Sequence, residues 1–165
     1  MKTTILKIGV FILLLSLMGA GCEKEEDEYS SFIEGYIVGT FICDEVNAKT
    51  GEASGDKTRR GYCIVMEGSE LTNFSYPLDF YTFDLSNDLF DFPNEILSPN
   101  FDSGNCGPNF FPDNLRNAYK IKFKYQILNE YDESKFVCGA CTAMELAFPW
   151  EDYRQIKLKD ITINN

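Results

Sequence analysis

The chain has 165 residues, with 26 acidic against 15 basic side chains and a formal net charge of −11. Such a surplus repels phosphate backbones, so nucleic acid is excluded as an expected partner. The sequence contains no histidine, which removes Ser-His-Asp and Cys-His catalysis, His-ligated zinc and the usual near-neutral proton shuttle.

At the amino end, Lys2 and Lys7 precede an apolar run over residues 8–18. The small residues Gly19, Ala20 and Gly21 follow, and then Cys22. A positive start, an apolar middle and a small-residue exit form the secretory signal pattern. The apolar run is shorter than the ~20 residues a spanning helix needs. Residues 1–21 are therefore read as a removable leader. Losing Lys2 and Lys7 with it takes the net charge to −13.

Small residues followed at once by cysteine resemble the lipobox of bacterial lipoproteins. In that family the thiol receives a diacylglycerol and the leader is cut before it. Several buried acyl chains anchor firmly where a single one does not. The next residues, Glu23-Lys24-Glu25-Glu26, complete a resemblance to the Cys-x-Lys-(Asp/Glu)2 export signal of Bacteroidetes surface lipoproteins. The resemblance implies lipidation at Cys22 and an outer-membrane protein facing the cell exterior. An acidic run repels itself and stays extended, so residues 22–31 are expected to be a tether. Residues 32–165 are left as one domain, a length that buries a full core.

The first segment of that domain, Phe32–Cys43, is rich in β-branched and aromatic residues. It reads as a long strand with Gly35 and Gly39 as bend or bulge positions. Residues 44–60 turn polar and read as a loop, with Lys57, Arg59 and Arg60 as a basic cluster, either a solvated loop end or a partner for an anionic group. Gly61–Glu67 is a second strand, and a third lies near 78–84. Leu89–Leu97 reads as a short helix or irregular turn, because Pro93 interrupts it. Residues 98–114, with three prolines and two glycines, form the longest loop. Its Phe101, Phe110 and Phe111 predict that it packs down.

Lys120–Ile127 alternates strictly between polar and apolar and is the clearest strand. Its lysines protect against edge-to-edge pairing if the strand lies at an edge. Phe136–Cys138 is a short extended piece. Thr142-Ala143-Met144-Glu145 matches a capping box for a helix running to about Phe148. Gln155–Ile163 closes the series. The expected fold is mainly β: a small five- to six-stranded Greek-key barrel of the OB type, or a compact sandwich, with one or two short helices.

Five cysteines follow Cys22: Cys43, Cys63, Cys106, Cys138 and Cys141. Export permits disulfides, and an odd count leaves one thiol over. Cys43 and Cys63 flank one loop and are expected to face each other, while Cys106 would staple the long loop to Cys138 or Cys141. Cys138-Gly139-Ala140-Cys141 before a capped helix also has the local context of a thiol oxidoreductase. A zinc site from Cys63, Cys106, Cys138 and Cys141 ranks below disulfides, because the set holds one Cys-x-x-Cys pair only. The oxygen-rich stretches Asp84, Asn87, Asp88 and Asn100, Asp102, Asn105 lack the spacing of a calcium loop, and turn formation accounts for them. No metal or cofactor is expected.

Nine Tyr, fourteen Phe and one Trp are mostly core material. Tyr76, Tyr81, Tyr153 and Trp150 are the rings set aside as flat faces for sugars or a protein partner. The functional expectation is a lipid-anchored, non-enzymatic binding or accessory module with a glycan or protein ligand. A thiol–disulfide protein using Cys138 and Cys141 is the alternative, and a structural envelope protein the third reading.

Overall fold

The computed structural model of the chain describes residues 29–46, 53–69, 76–97, 107–138 and 148–163. The leader, Cys22, Cys106, Cys141 and the helix expected after Thr142 lie outside the described residues. Seven strands are assigned: β1 (Ile33–Val46), β2 (Ala53–Met66), β3 (Phe80–Thr82), β4 (Asn109–Phe110), β5 (Lys120–Ile127), β6 (Phe136–Val137) and β7 (Arg154–Ile163). One helical turn, α1 (Asn94–Leu97), follows Pro93, and 3-10 turns occupy Asp113–Leu115 and Trp150–Asp152.

Five of the strands close into a barrel. β1 pairs with β2, β2 with β3, β3 with β7, β7 with β5, and β5 returns to β1. Every pairing is antiparallel except β3 with β7, which is parallel. With the two-residue strands set aside, the order is first, second, third, fifth, fourth and back to the first. This is the closed Greek-key arrangement of a small OB-like barrel.

β1 holds the barrel together because it is long enough to be bonded along both sides. One side pairs with β2 over nearly its whole length. The other is shared in turn by β5 at Ile33–Tyr36, β4 at Gly39–Thr40 and β6 at Asp44–Glu45. The register slips between Ile37 and Gly39, leaving Val38 unpaired against β2, so the bulge falls one residue before the expected Gly39. Gly35 serves a different need, since a Cβ there would stand 2.7 Å from the Val65 carbonyl oxygen.

The expected loop 44–60 is corrected: β1 continues to Val46 and β2 resumes at Ala53. The polar residues mislead because β1 and β2 stay paired as far as Val46 and Ala53, and backbone ladder bonds set no requirement on side-chain polarity. Arg59 and Arg60 are pinned rather than solvated. Arg59 pairs with Glu45 at 3.1 Å and lies over the Phe83 ring, while Arg60 donates to the Leu97 carbonyl at 2.8 Å. β5 is not an edge strand either, being bonded to β1 and β7.

Period-two alternation divides the apolar residues between two cores. Ile37, Tyr62, Ile64, Phe80, Ile121, Phe123, Ile156 and Leu158 fill the barrel. Val38, Phe41, Cys43, Cys63, Tyr81 and Phe83 belong to a second cluster on the outer face of β1, β2 and β3. Leu78, Phe148 and Tyr153 complete its buried set, with Phe136 and Trp150 packed against it. The barrel floor is closed by α1, where the buried Thr40 hydroxyl donates to the Ile96 carbonyl at 2.8 Å. Phe111 is fully buried, as expected of an aromatic in a loop that packs down, and its amide donates to the Val38 carbonyl at 2.8 Å.

Candidate binding cleft

OB barrels take ligands on the outer face of the second and third strands and on the adjoining loops. Here that face is plated by the chain itself. The connection from β5 to β7 folds back across it and brings β6, Phe148 and the 3-10 turn at Trp150 against Phe41, Tyr81 and Phe83. The Phe41 ring is central. Its centroid lies 4.6 Å from Trp150, 5.3 Å from Phe83, 6.0 Å from Phe136 and 6.1 Å from Tyr81. Gly61 on β2 makes room for it, since a Cβ there would stand 2.1 Å from the nearest Phe41 ring carbon.

Four devices fix the returning segment. β6 pairs with β1 at Asp44 and Glu45. Cys138, the residue after β6, forms a disulfide with Cys43 across 95 residues of sequence. The Gln155 side chain, almost fully buried, accepts the Ser134 amide at 2.9 Å, and its backbone carbonyl accepts the Leu128 amide at 3.0 Å. Asn129 closes the turn that begins the connection by accepting the amides of Tyr131 and Asp132 at 2.9 and 3.2 Å, the side-chain-to-backbone bonding for which asparagine is favoured in turns. A loop held this way presents its side chains from a defined platform.

Between the folded-back segment and the start of β7 lies a cleft of about 480 Å³, within the usual range of roughly 300–1,000 Å³ for small-molecule sites. Its aromatic residues are Tyr81, Phe136, Trp150 and Tyr153. Three of these rings stand nearly perpendicular to one another: Phe136 on Trp150 at 87°, Tyr81 on Phe136 at 79° and Tyr81 on Trp150 at 73°. Edge-to-face contacts of this kind lock each ring's orientation. Glu130, Glu133, Glu151, Ser134, Lys135 and Arg154 supply the polar lining. Burial pushes the Tyr81 hydroxyl up to about 12, and the Glu133 carboxylate adds to the rise. Tyr81 is therefore a neutral donor at ordinary pH. The cleft thus offers apolar ring surface beside carboxylates, cations and a hydroxyl.

Of the four rings singled out in the sequence, Tyr81, Trp150 and Tyr153 meet here. Tyr76 does not: it stacks on Phe110 at 15° and packs on Phe148. The sequence reading missed Phe136 and all the charged lining residues. Phe136 and Trp150 are fourteen positions apart, and no spacing rule joins them.

The cysteine expectation is corrected. Cys43 does not bond Cys63, because in the β1–β2 register Cys43 lies opposite Arg59 and Cys63 opposite Gly39. Cys63 is a buried free thiol whose burial pushes its pKa well up, which makes it inert. Cys138 is engaged with Cys43, so its sulfur is withdrawn from any Cys138–Cys141 pair or zinc set. The acidic stretch around Asp84 is dispersed into structural bonds: Asn87 accepts the Tyr62 hydroxyl at 2.7 Å and Asp84 accepts the Leu158 amide at 3.2 Å. Among the described residues no three His, Cys, Asp or Glu side chains converge as a metal set. Comparison with protein-family models, curated proteins and solved structures found no match for the chain.

Proposed function

We propose that the protein is a lipid-anchored, non-catalytic binding module of the cell exterior, taking a glycan in the cleft beside Trp150. The address rests on the leader, Cys22 and the acidic residues after it. The ligand class rests on the cleft, where oriented ring surface adjoins carboxylates, two cations and the neutral Tyr81 hydroxyl. A sugar has an apolar C–H face to lay on a ring and hydroxyls around its rim to bond carboxylates and Arg154. The observation that carries the reading is that the β5–β7 connection is disulfide-stapled in a shape that leaves the cleft open. Preorganisation of this kind lowers the ordering cost of binding.

Trp150 is the single tryptophan of the chain, so tryptophan emission comes from the wall of the cleft. Titration with a panel of neutral and acidic oligosaccharides is expected to shift its emission saturably for at least one of them. Arg154→Ala, at an exposed rim position, is expected to weaken that ligand about tenfold or more without altering the fold. A flat response across the panel, with saturable binding of a cationic peptide instead, would replace the glycan by a protein ligand. The address is tested separately, by mass spectrometry of the amino-terminal peptide: an unmodified Cys22 on membrane-free material overturns it.

A further inference from the structure

Building on the glycan reading of the cleft, we infer that the sugar it takes is an amino sugar, whose free ammonium group sits against Glu133 and the Tyr81 hydroxyl. The charges lining the cleft are Glu130, Glu133 and Glu151 against Lys135 and Arg154. Their depth decides the sign of the ligand. Glu133 is half-buried, whereas Glu130, Glu151, Lys135 and Arg154 are exposed. The innermost charge is therefore negative, and both cations stand on the rim. Among the described residues no hydrogen bond or ion pair engages the Glu133 carboxylate, those two cations included. Its position is nonetheless fixed. The Glu133 amide donates to the Asn129 carbonyl at 3.1 Å, and the next amide, that of Ser134, donates to the Gln155 side chain at 2.9 Å.

Tyr81 points the same way. It is only 4 % exposed, yet it lines the cleft. Its hydroxyl makes no hydrogen bond among the described residues. Among those residues no side-chain oxygen or nitrogen sealed from solvent lacks a partner, so the hydroxyl is not sealed and opens on the cleft. The Glu133 charge is felt there, which puts the two groups at one end of the site. A nearly buried hydroxyl without a partner costs free energy until something bonds it. A carboxylated sugar sets like charge against Glu133. A neutral sugar bonds the hydroxyl and leaves the carboxylate uncompensated. A quaternary ammonium compensates the charge but has no N–H to give. A protonated amine does both, donating to the phenol oxygen and to the carboxylate, and such charge-assisted bonds are the stronger kind. Trp150 in the wall favours the same sign, because tryptophan is the best side chain for holding a cation over its ring. Lys135 and Arg154, on the rim, are left to the sugar's hydroxyls.

The test titrates Trp150 emission with the trimer of N-acetylglucosamine and with its fully deacetylated counterpart. At about pH 6 the sugar amine is protonated and the carboxylates are ionised. The two trimers share rings and ring hydroxyls and differ in the amine. The deacetylated trimer is expected to bind about tenfold or more tighter. Glu133→Gln keeps the side chain's size and is expected to bring the two trimers within about twofold of each other. Tyr81→Phe keeps the ring and is expected to weaken the deacetylated trimer about threefold or more. Glu95→Gln, on α1 outside the cleft, removes the same charge and is expected to keep the preference. An acetylated trimer that binds as well as the deacetylated one overturns the amino-sugar inference and leaves the glycan reading standing. So does a neutral or acidic saccharide that binds while neither trimer does. Equal loss of preference in Glu133→Gln and Glu95→Gln also overturns it, assigning the preference to the chain's overall negative charge. No response to any saccharide, basic ones included, overturns both readings.

Discussion

Replacing both bridged cysteines, Cys43→Ala with Cys138→Ala, tests the account of the cleft most directly. The bridge spans 95 residues of sequence. Removing a cross-link of that span returns chain entropy to the unfolded state worth about 4–5 kcal/mol in the loop-closure treatment, against roughly 2–4 typically measured. A domain's whole stability is about 5–15 kcal/mol, so the loss is a large fraction of it. With a urea slope of about 2 kcal/mol per molar, the unfolding midpoint is expected to fall by roughly 1–2 M. The effect has a local component as well. Without the bridge, β6 is left with two residues of pairing to β1 and the packing of Phe136 on Phe41, Phe83 and Trp150. Trp150 emission is therefore expected to change at lower urea than far-UV circular dichroism does, and ligand-induced emission changes are expected to weaken. Alanine is chosen because Cys43 is buried and a serine hydroxyl there would add its own desolvation cost. A midpoint shift below about 0.5 M, with the two probes coincident, would show that the connection is held without the bridge and refute the staple.

Gly61→Ala drives a methyl to 2.1 Å from the Phe41 ring and is expected to cost about 1–3 kcal/mol as overpacking; adding Phe41→Leu is expected to recover part of it in the same urea assay. Thr40→Val removes the 2.8 Å bond to the Ile96 carbonyl and leaves that oxygen the Asn109 amide at 3.3 Å, so a loss of about 1 kcal/mol is expected. Burial holds Tyr81 at about 12, aided by Glu133, and raises Tyr62 and Tyr153 as well. Each folded value lies above the unfolded value near 10, so the unfolded chain gives up its proton first as pH rises. Stability is then unaffected by these groups below about pH 10 and falls through the window up to about 12, by roughly 2–3 kcal/mol for Tyr81 alone. Absorbance at about 295 nm, tracked with circular dichroism, should show late phenol ionisation coinciding with unfolding; reversible titration of all tyrosines near 10 in a folded protein would contradict it.

The β class and most strand positions are legible in the sequence because they depend on neighbours. Alternation in Lys120–Ile127 reports its buried and wet faces directly, and Gly39 stands one residue after the place where β1 changes register. Pairing was not legible, because nothing local states which strand lies beside which. For that reason the polar stretch 44–60 hid a hairpin, and Cys43 could not be matched to Cys138 until the β5–β7 connection was seen to fold back beside β1. The cleft depends on the same return path: Tyr81, Phe136 and Trp150 come from β3, β6 and a 3-10 turn, and long-range packing alone makes them one surface. The sequence by itself determined which residues seek burial and which backbone form each segment prefers, since both are properties of a residue and its near neighbours. Only the tertiary structure decided which rings meet and which thiols bond, since those follow from closing one barrel and laying one connection across its outer face.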